Sequence, residues 1–188
     1  DSLPSRGLGD VYKRQAGEVW HLLDTRVNIP LTKIRLNQFN RTSLDKYTTL
    51  VMVSGIYSQI SEKDIKKIKD WVSKGNTLVT IGSASSWAIK KEIVSESLVE
   101  TKKDSVFSRK RYIDAREYIG REAIGGSILS VDLDLTHPLA FGYRDKSIPV
   151  YKNNNVFLSK SESQYSSVAL YSKAVSYTHL RAHETEEN

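Results

Sequence analysis

In α/β enzymes a strand that turns sharply into a helix carries the nucleophile, as Gly-x-Ser-x-Gly or its cysteine counterpart. Gly82-x-Ala84-x-Ser86 has that spacing and follows an apolar run, Thr77-Leu-Val-Thr-Ile81. Its central residue, Ala84, has no nucleophile, and Ser86 stands where the second glycine would be. Ser83, Ser85 and Ser86 supply hydroxyls, none at the elbow spacing, and a serine-rich helix start reads first as capping. A second apolar run, Thr49-Leu-Val-Met-Val-Ser54, ends on Gly55. Ligands of open parallel sheets bind outside the carboxyl ends of the strands. Ser54, Gly55, Ser83 and Ser85 are therefore the residues expected to line a crevice. The free N–H groups of a helix start attract anions, but neither a P-loop nor Gly-x-Gly-x-x-Gly occurs.

Metal chemistry has thin support. Asp132, Asp134 and His137 fall close together, yet Thr136-His-Pro-Leu139 has the composition of a turn that ties backbone, and two carboxylates with one histidine define no site. His21, beside Trp20 on a helical pattern, reads as a packed surface histidine. His179, His183 and Glu184 imitate a metal motif near the end of the chain. There is no cysteine, which removes thiolate nucleophiles, disulfides and Cys-based zinc sites. Asn40-Arg-Thr42 fits a glycosylation sequon. No metal or catalytic residue is assigned from these patterns.

The elements that must position these residues follow from periodicity. Glu18 to Arg26 reads as a helix, with Val19, Trp20, Leu23 and Val27 on one face. Pro30 interrupts, and Leu31-Thr-Lys-Ile-Arg-Leu36 alternates as a half-buried strand does. Asn40 to Tyr47 is polar connection. Thr49 to Ser54 has the continuous apolar character of a strand covered on both faces. Ser61-x-x-Asp64 opens the clearest helix, with Ile65, Ile68, Trp71 and Val72 at helical spacing and Gly75 as its stop. Thr77 to Ile81 is the next strand, and a short helix follows from about Ser85 to Ile93. Strand, helix, strand in this order predicts two parallel strands. Val94 to Phe107 reads as loop, and Arg109 to Ile119 as helix or irregular chain. Ser127 to Leu133, Ile148 to Tyr151, Asn155 to Leu158 and Val168 to Tyr171 are strand candidates, with a turn at Thr136 to Gly142.

The chain carries a net charge of +6. Its lysines (Lys63, Lys66, Lys67, Lys69, Lys74, Lys90, Lys91) alternate with Glu62, Asp64, Asp70, Glu92 and Glu96, the pattern of a solvated face. Arg109-Lys110-Arg111, flanked by Phe107 and Tyr112, is the one tight basic cluster, too little for a nucleic-acid stripe. No apolar segment approaches the roughly 18 residues of a membrane span. The two ends are unusual. Asp10-Val-Tyr-Lys-Arg-Gln15 can be encoded by GAT GTG TAT AAG AGA CAG, and the reverse complement of that DNA, one frame over, encodes Val175-Ser-Tyr-Thr-His179 and starts a codon for Leu180. One oligonucleotide read in both directions, resembling a transposon-end sequencing adapter, accounts for both. Residues 1–15 and 175–188 are thus expected to be adapter-derived, and Ala16 to Ala174 one domain, incomplete at both ends.

Ala16-Gly-Glu-Val-Trp-His-Leu-Leu-Asp24, Trp71-Val-x-x-Gly75-x-Thr-Leu78, Ile124-Gly-Gly-Ser-Ile128, Asp132-Leu-Asp-Leu-Thr-His-Pro-Leu139 and Phe141-Gly-Tyr143 together resemble the C-terminal region of large bacterial zinc carboxypeptidases. There, a domain similar to class I glutamine amidotransferases follows the metallopeptidase domain. The resemblance implies a flavodoxin-like, open, mainly parallel sheet with helices on both faces, truncated here at its first strand. The slot between Leu31–Leu36 and Thr49–Ser54 is then expected to be vacant or poorly filled. It further implies a periplasmic or secreted protein whose partner is its own peptidase domain, with the zinc and its His-x-x-Glu ligands upstream. No cofactor is implied for this chain. The amidotransferase triad would need a cysteine where Ala84 stands, so the resemblance implies a non-catalytic accessory domain. A serine hydrolase using Ser83, Ser85 or Ser86, and a polyanion binder using Arg109 to Arg111, are the alternatives.

Overall fold

The computed structural model describes residues 15–99, 111–114 and 126–172. They fall into two compact units, divided after Ser95.

In the first unit, helix α1 (residues 15–21) runs into a π-helical turn, Leu22–Arg26. Strands β1 (Thr49–Met52) and β2 (Thr77–Thr80) pair in parallel, in register from Thr49↔Thr77 to Met52↔Thr80. The crossover between them is α2 (Glu62–Ser73), and β2 leads into α3 (Ser83–Lys90). The start of α2 is a capping box. The Ser61 hydroxyl accepts from the Asp64 N–H at 3.3 Å, and the Asp64 carboxylate accepts from the Ser61 N–H at 3.4 Å. At its end Gly75 takes φ 94°, the left-handed stop that favours glycine. Ile65, Ile68 and Trp71 are buried along one stripe of α2, as their spacing predicts.

Two expectations need correcting in this unit, and one gains a structural role. Leu31–Leu36 forms no strand; the chain is irregular up to a 3-10 helix at Leu36–Arg41. Among the described residues β1 pairs with β2 alone, and no strand lies along its other edge. Ile34 and Leu36 reach the core without one, each packing half-buried against it. The connection around Asn40–Tyr47 is polar in composition but structural in role: Phe39 and Leu44 are buried with Ile68 and Trp71. Lastly, among the described residues the parallel strands are packed on one face only. Leu50, Met52 and Leu78 meet Ile65 of α2 and Ala84 and Trp87 of α3, so both helices lie on one face. Val51, Val79 and Ile81, of opposite parity, stay 37–40% exposed.

The second unit is antiparallel. Strand β3 (Ser127–Leu133) lies between β4 (Ser147–Lys152) and β5 (Ala169–Tyr171). The central strand buries Val131 and Leu133 on one face, as alternation requires. Between β3 and β4 the predicted turn is present. His137 caps a 3-10 helix at Pro138–Ala140, and Gly142 takes φ 96°. Asn155–Leu158 forms no named strand; only Leu158 bridges, to Leu98. The α/β class holds, but among the described residues the sheet is not mainly parallel. The described strands form a two-stranded parallel sheet and a three-stranded antiparallel one.

Candidate functional site

The parallel register sets the carboxyl ends of β1 and β2 side by side, which brings Ser54 and Gly55 against Gly82 and Ser83. Of the residues expected to line a crevice, Ser54, Gly55 and Ser83 meet there and bond to one another, and Ser85 does not join them. The Ser54 hydroxyl donates to the Ile81 carbonyl at 3.3 Å and accepts from the Ser83 N–H at 3.1 Å. Returning across the pair, the Ser83 hydroxyl accepts from the Gly55 N–H at 2.9 Å and donates to the Gly55 carbonyl at 3.2 Å. Each hydroxyl gives its one proton and takes one. Ser85 turns back on its own strand, donating to the Thr80 carbonyl at 3.1 Å, with the Thr80 hydroxyl 3.0 Å away. Ser86 makes no side-chain hydrogen bond among the described residues.

Backbone conformation relocates the elbow. Gly82 has φ 60° and ψ −122° and, after Ile81, makes the turn from β2 into α3. A nucleophile elbow is a strained turn of this kind, with the nucleophile on the turn residue itself. That residue is Gly82. Ala84, two positions on, lies inside α3 with its methyl fully buried among Met52, Tyr57, Ile60 and Ile65. A side chain at 84 faces the core, where no substrate reaches it. The spacing Gly82-x-Ala84-x-Ser86 thus has the elbow's letters two residues out of phase with the elbow's geometry. In such elbows the N–H of the residue after the nucleophile helps hold the oxyanion. Here that donor is the Ser83 N–H, and the Ser54 hydroxyl already occupies it.

Tyr57 closes the same corner. Its phenol donates to the Val53 carbonyl, its ring packs on Trp87 with centroids 5.3 Å apart, and burial pushes its pKa up to about 12. It is held neutral as a strut, with its only proton committed to backbone.

The other candidate side chains are also engaged. His137 accepts the Leu139 N–H on Nδ1 at 3.1 Å, and the Asp134 carboxylate accepts from both the Thr136 N–H (3.0 Å) and hydroxyl (2.6 Å). Those Thr136 bonds hold the Asp134 pKa below the ordinary carboxylate value. The Asp132 carboxylate accepts from the Ser172 hydroxyl at 2.7 Å. These residues do not converge, and they do not fit a zinc ion. On α1, Thr25 bonds the His21 carbonyl, and its hydroxyl lies 3.5 Å from the His21 Nδ1. Arg109, Lys110, His179, His183 and Glu184 lie outside the described residues; Arg111 is exposed.

Sequence reasoning missed two features. One is a groove of about 620 Å³ between α2 and the turns before β1, floored by Leu44 and Trp71 and rimmed by Asp45, Lys63, Lys66, Asp70 and Lys74. Its cations are partly spent: Lys74 lies 3.8 Å from Asp45, and the Lys67 ammonium caps the Phe39 and Thr42 carbonyls. Lysines at helical spacing on α2 were the available signal. The other is a hydroxyl chain across the antiparallel sheet: Ser147 to Ser130 at 2.8 Å, Ser130 to Ser172 at 3.3 Å, then Asp132. It depends on strand register, which the residues alone do not reveal. No family model, curated protein or solved structure matches this chain.

Proposed function

We propose that the chain is a non-catalytic accessory domain of a zinc metallocarboxypeptidase, of the amidotransferase-like, flavodoxin-related kind. The observation that carries the non-catalytic part is the occupied elbow. Gly82 brings no nucleophile to the turn, and the Ser83 N–H that would bind an oxyanion is bonded to Ser54 Oγ at 3.1 Å. An absence of cysteine supports the same reading, because the amidotransferase chemistry of such a fold runs through a thiolate. The parentage rests on the ordered motifs from Ala16 to Tyr143. In that parent, the zinc and the residues that activate water belong to the upstream domain, with this domain packed against it in the periplasm or outside the cell.

Two measurements test the parts separately. A fluorophosphonate probe should leave Ser83, Ser85 and Ser86 unlabelled; labelling of any of them, mapped by peptide mass, would make the domain a serine hydrolase. The longer DNA contig should carry an upstream His-x-x-Glu in the same reading frame. A contig whose upstream frame encodes no metallopeptidase would remove the parentage while leaving the occupied elbow untouched.

A further inference from the structure

The turn between β3 and β4 is closed by a group that can hold it in only one protonation state. His137 has the extended backbone of an N-cap, φ −78° and ψ 137°, and Pro138 follows at the first position of the 3-10 helix. The cap itself is the imidazole, whose Nδ1 accepts the Leu139 N–H at 3.1 Å. An amide N–H only donates, so this bond requires a bare Nδ1 and places the ring proton on Nε2. An imidazolium carries a proton on both nitrogens and accepts nothing. The usual caps, serine, threonine, asparagine and aspartate, keep an acceptor oxygen throughout the neutral range. A histidine loses its acceptor where imidazoles ordinarily titrate, between about pH 5 and 8.

The protonated ring has a different partner close by. Asp134 lies three residues back, and its carbonyl accepts the His137 N–H at 3.1 Å. After the Thr136 bonds, the charges that favour the ionised Asp134 carboxylate are His137 and Lys146. Both Thr136 bonds land on Oδ1 of that carboxylate, which leaves Oδ2 without a bond among the described residues. The charged groups at this corner are therefore Asp134, at the end of β3, and Lys146, just ahead of β4. Arg144 and Asp145 lie on the same connection.

What the cap steadies is an exposed apolar apex. The Ala140 N–H bonds the His137 carbonyl at 2.9 Å, and the Phe141 N–H bonds the Pro138 carbonyl at 3.2 Å. The side chains carried by this short helix and its end, Leu139 and Phe141, are 78% and 94% exposed. We infer that His137 is a proton-operated latch on this turn. Neutral, it caps the Leu139 N–H and fixes how Leu139 and Phe141 are presented. Protonated, it releases that N–H and moves toward Asp134, loosening the apex. The latch depends on neither the metallopeptidase parentage nor the state of the elbow.

NMR of the whole chain reads both positions. At pH 8, long-range 1H–15N spectra should place the His137 proton on Nε2, and the Leu139 amide should be protected. On titration to pH 5, the Leu139 amide shift should follow the His137 ring with the same midpoint. Its protection factor should drop about fivefold, the factor a single N-cap ordinarily supplies. His137→Asn keeps an acceptor that does not titrate, so Leu139 protection should stay level across the same range. Asp134→Asn removes the charge that attracts the imidazolium and should move the His137 midpoint to lower pH. A ring proton on Nδ1 at pH 8, or a Leu139 amide that ignores the His137 titration, overturns the latch. So does an equal loss of protection in His137→Asn, because another group then drives the change. A midpoint that Asp134→Asn leaves unmoved rejects Asp134 as the second position, and with it the two-position latch.

Discussion

Trp71 is the largest residue in the stripe of α2, and its removal tests how the first unit is held together. The indole is 2% exposed and packs with Phe39, Leu44 and Ile68. Its Nε1–H donates to two carbonyls of the preceding connection, Leu44 at 2.9 Å and Tyr47 at 3.2 Å. Truncation to alanine thus removes a buried aromatic, about 3–5 kcal/mol by itself. Truncation to phenylalanine keeps most of the ring but removes the indole donor from the Tyr47 carbonyl, while the Leu44 carbonyl keeps the Tyr47 N–H at 3.0 Å; that costs about 1–3 kcal/mol. The order Trp71→Ala worse than Trp71→Phe, with both worse than the parent chain, is the expected outcome.

Urea unfolding followed by far-UV circular dichroism is the appropriate assay, because Trp20 and Trp87 would confuse a fluorescence signal. With a slope of about 1–2 kcal/mol per M for a small unit, Trp71→Ala should lower the midpoint by about 2–4 M or abolish the folded baseline. Trp71→Phe should lower it by about 1–2 M. An alanine variant that loses under about 1 kcal/mol would mean that α2 does not bury this face. A phenylalanine variant equal to the parent would mean that the connection Leu44–Tyr47 is not anchored by the indole.

Ser54→Ala should cost about 1–3 kcal/mol, because it strands the Ser83 N–H, while Ser86→Ala should fall within about 0.5 kcal/mol of the parent; similar urea midpoints for the two would contradict the clasp. Tyr57 should make the fold sensitive to alkali. Its folded pKa is raised above the unfolded value of 10.0 to about 12, so its contribution is full below about pH 10 and is lost as pH climbs towards 12. Thermal melts across that window should fall less steeply for Tyr57→Phe than for the parent, and parallel slopes would count against the buried phenol.

Where the sequence was legible, local chemistry and tertiary packing agreed. Ser61, Asp64 and Gly75 mark the ends of α2, and its buried stripe follows the 3.6 period because the same residues that favour the helix also face the core. The strands around Thr49 and Thr77 follow from β-branched apolar runs of matching length. Leu31–Leu36 misled because alternation records which residues want burial and not whether their backbone pairs with another strand. Ile34 and Leu36 satisfy the same preference from irregular chain. Coverage on both faces misled for a related reason. A run such as Leu50-Val-Met52 is apolar at every position, but only the parity facing α2 and α3 is packed.

The site shows the complementary failure. Composition placed Ser54, Gly55, Ser83 and Ser85 at the strand ends, and the parallel register does bring Ser54, Gly55 and Ser83 together. What they do once together depends on directions that no spacing encodes. A hydroxyl at a strand end serves a ligand only if it points out of the crevice; Ser54 and Ser83 point across it and use up each other's backbone. The same distinction moves the elbow from Ala84 to Gly82, since an elbow is a backbone conformation and only secondarily a pattern of letters. A glycine can hold φ 60° without a Cβ penalty, so the turn persists with no side chain to exploit it. A strained turn maintained by glycine, with its neighbouring N–H spent on a serine, contributes to the fold by tying β1 to β2. That structural duty is by itself a reason for the turn to be kept.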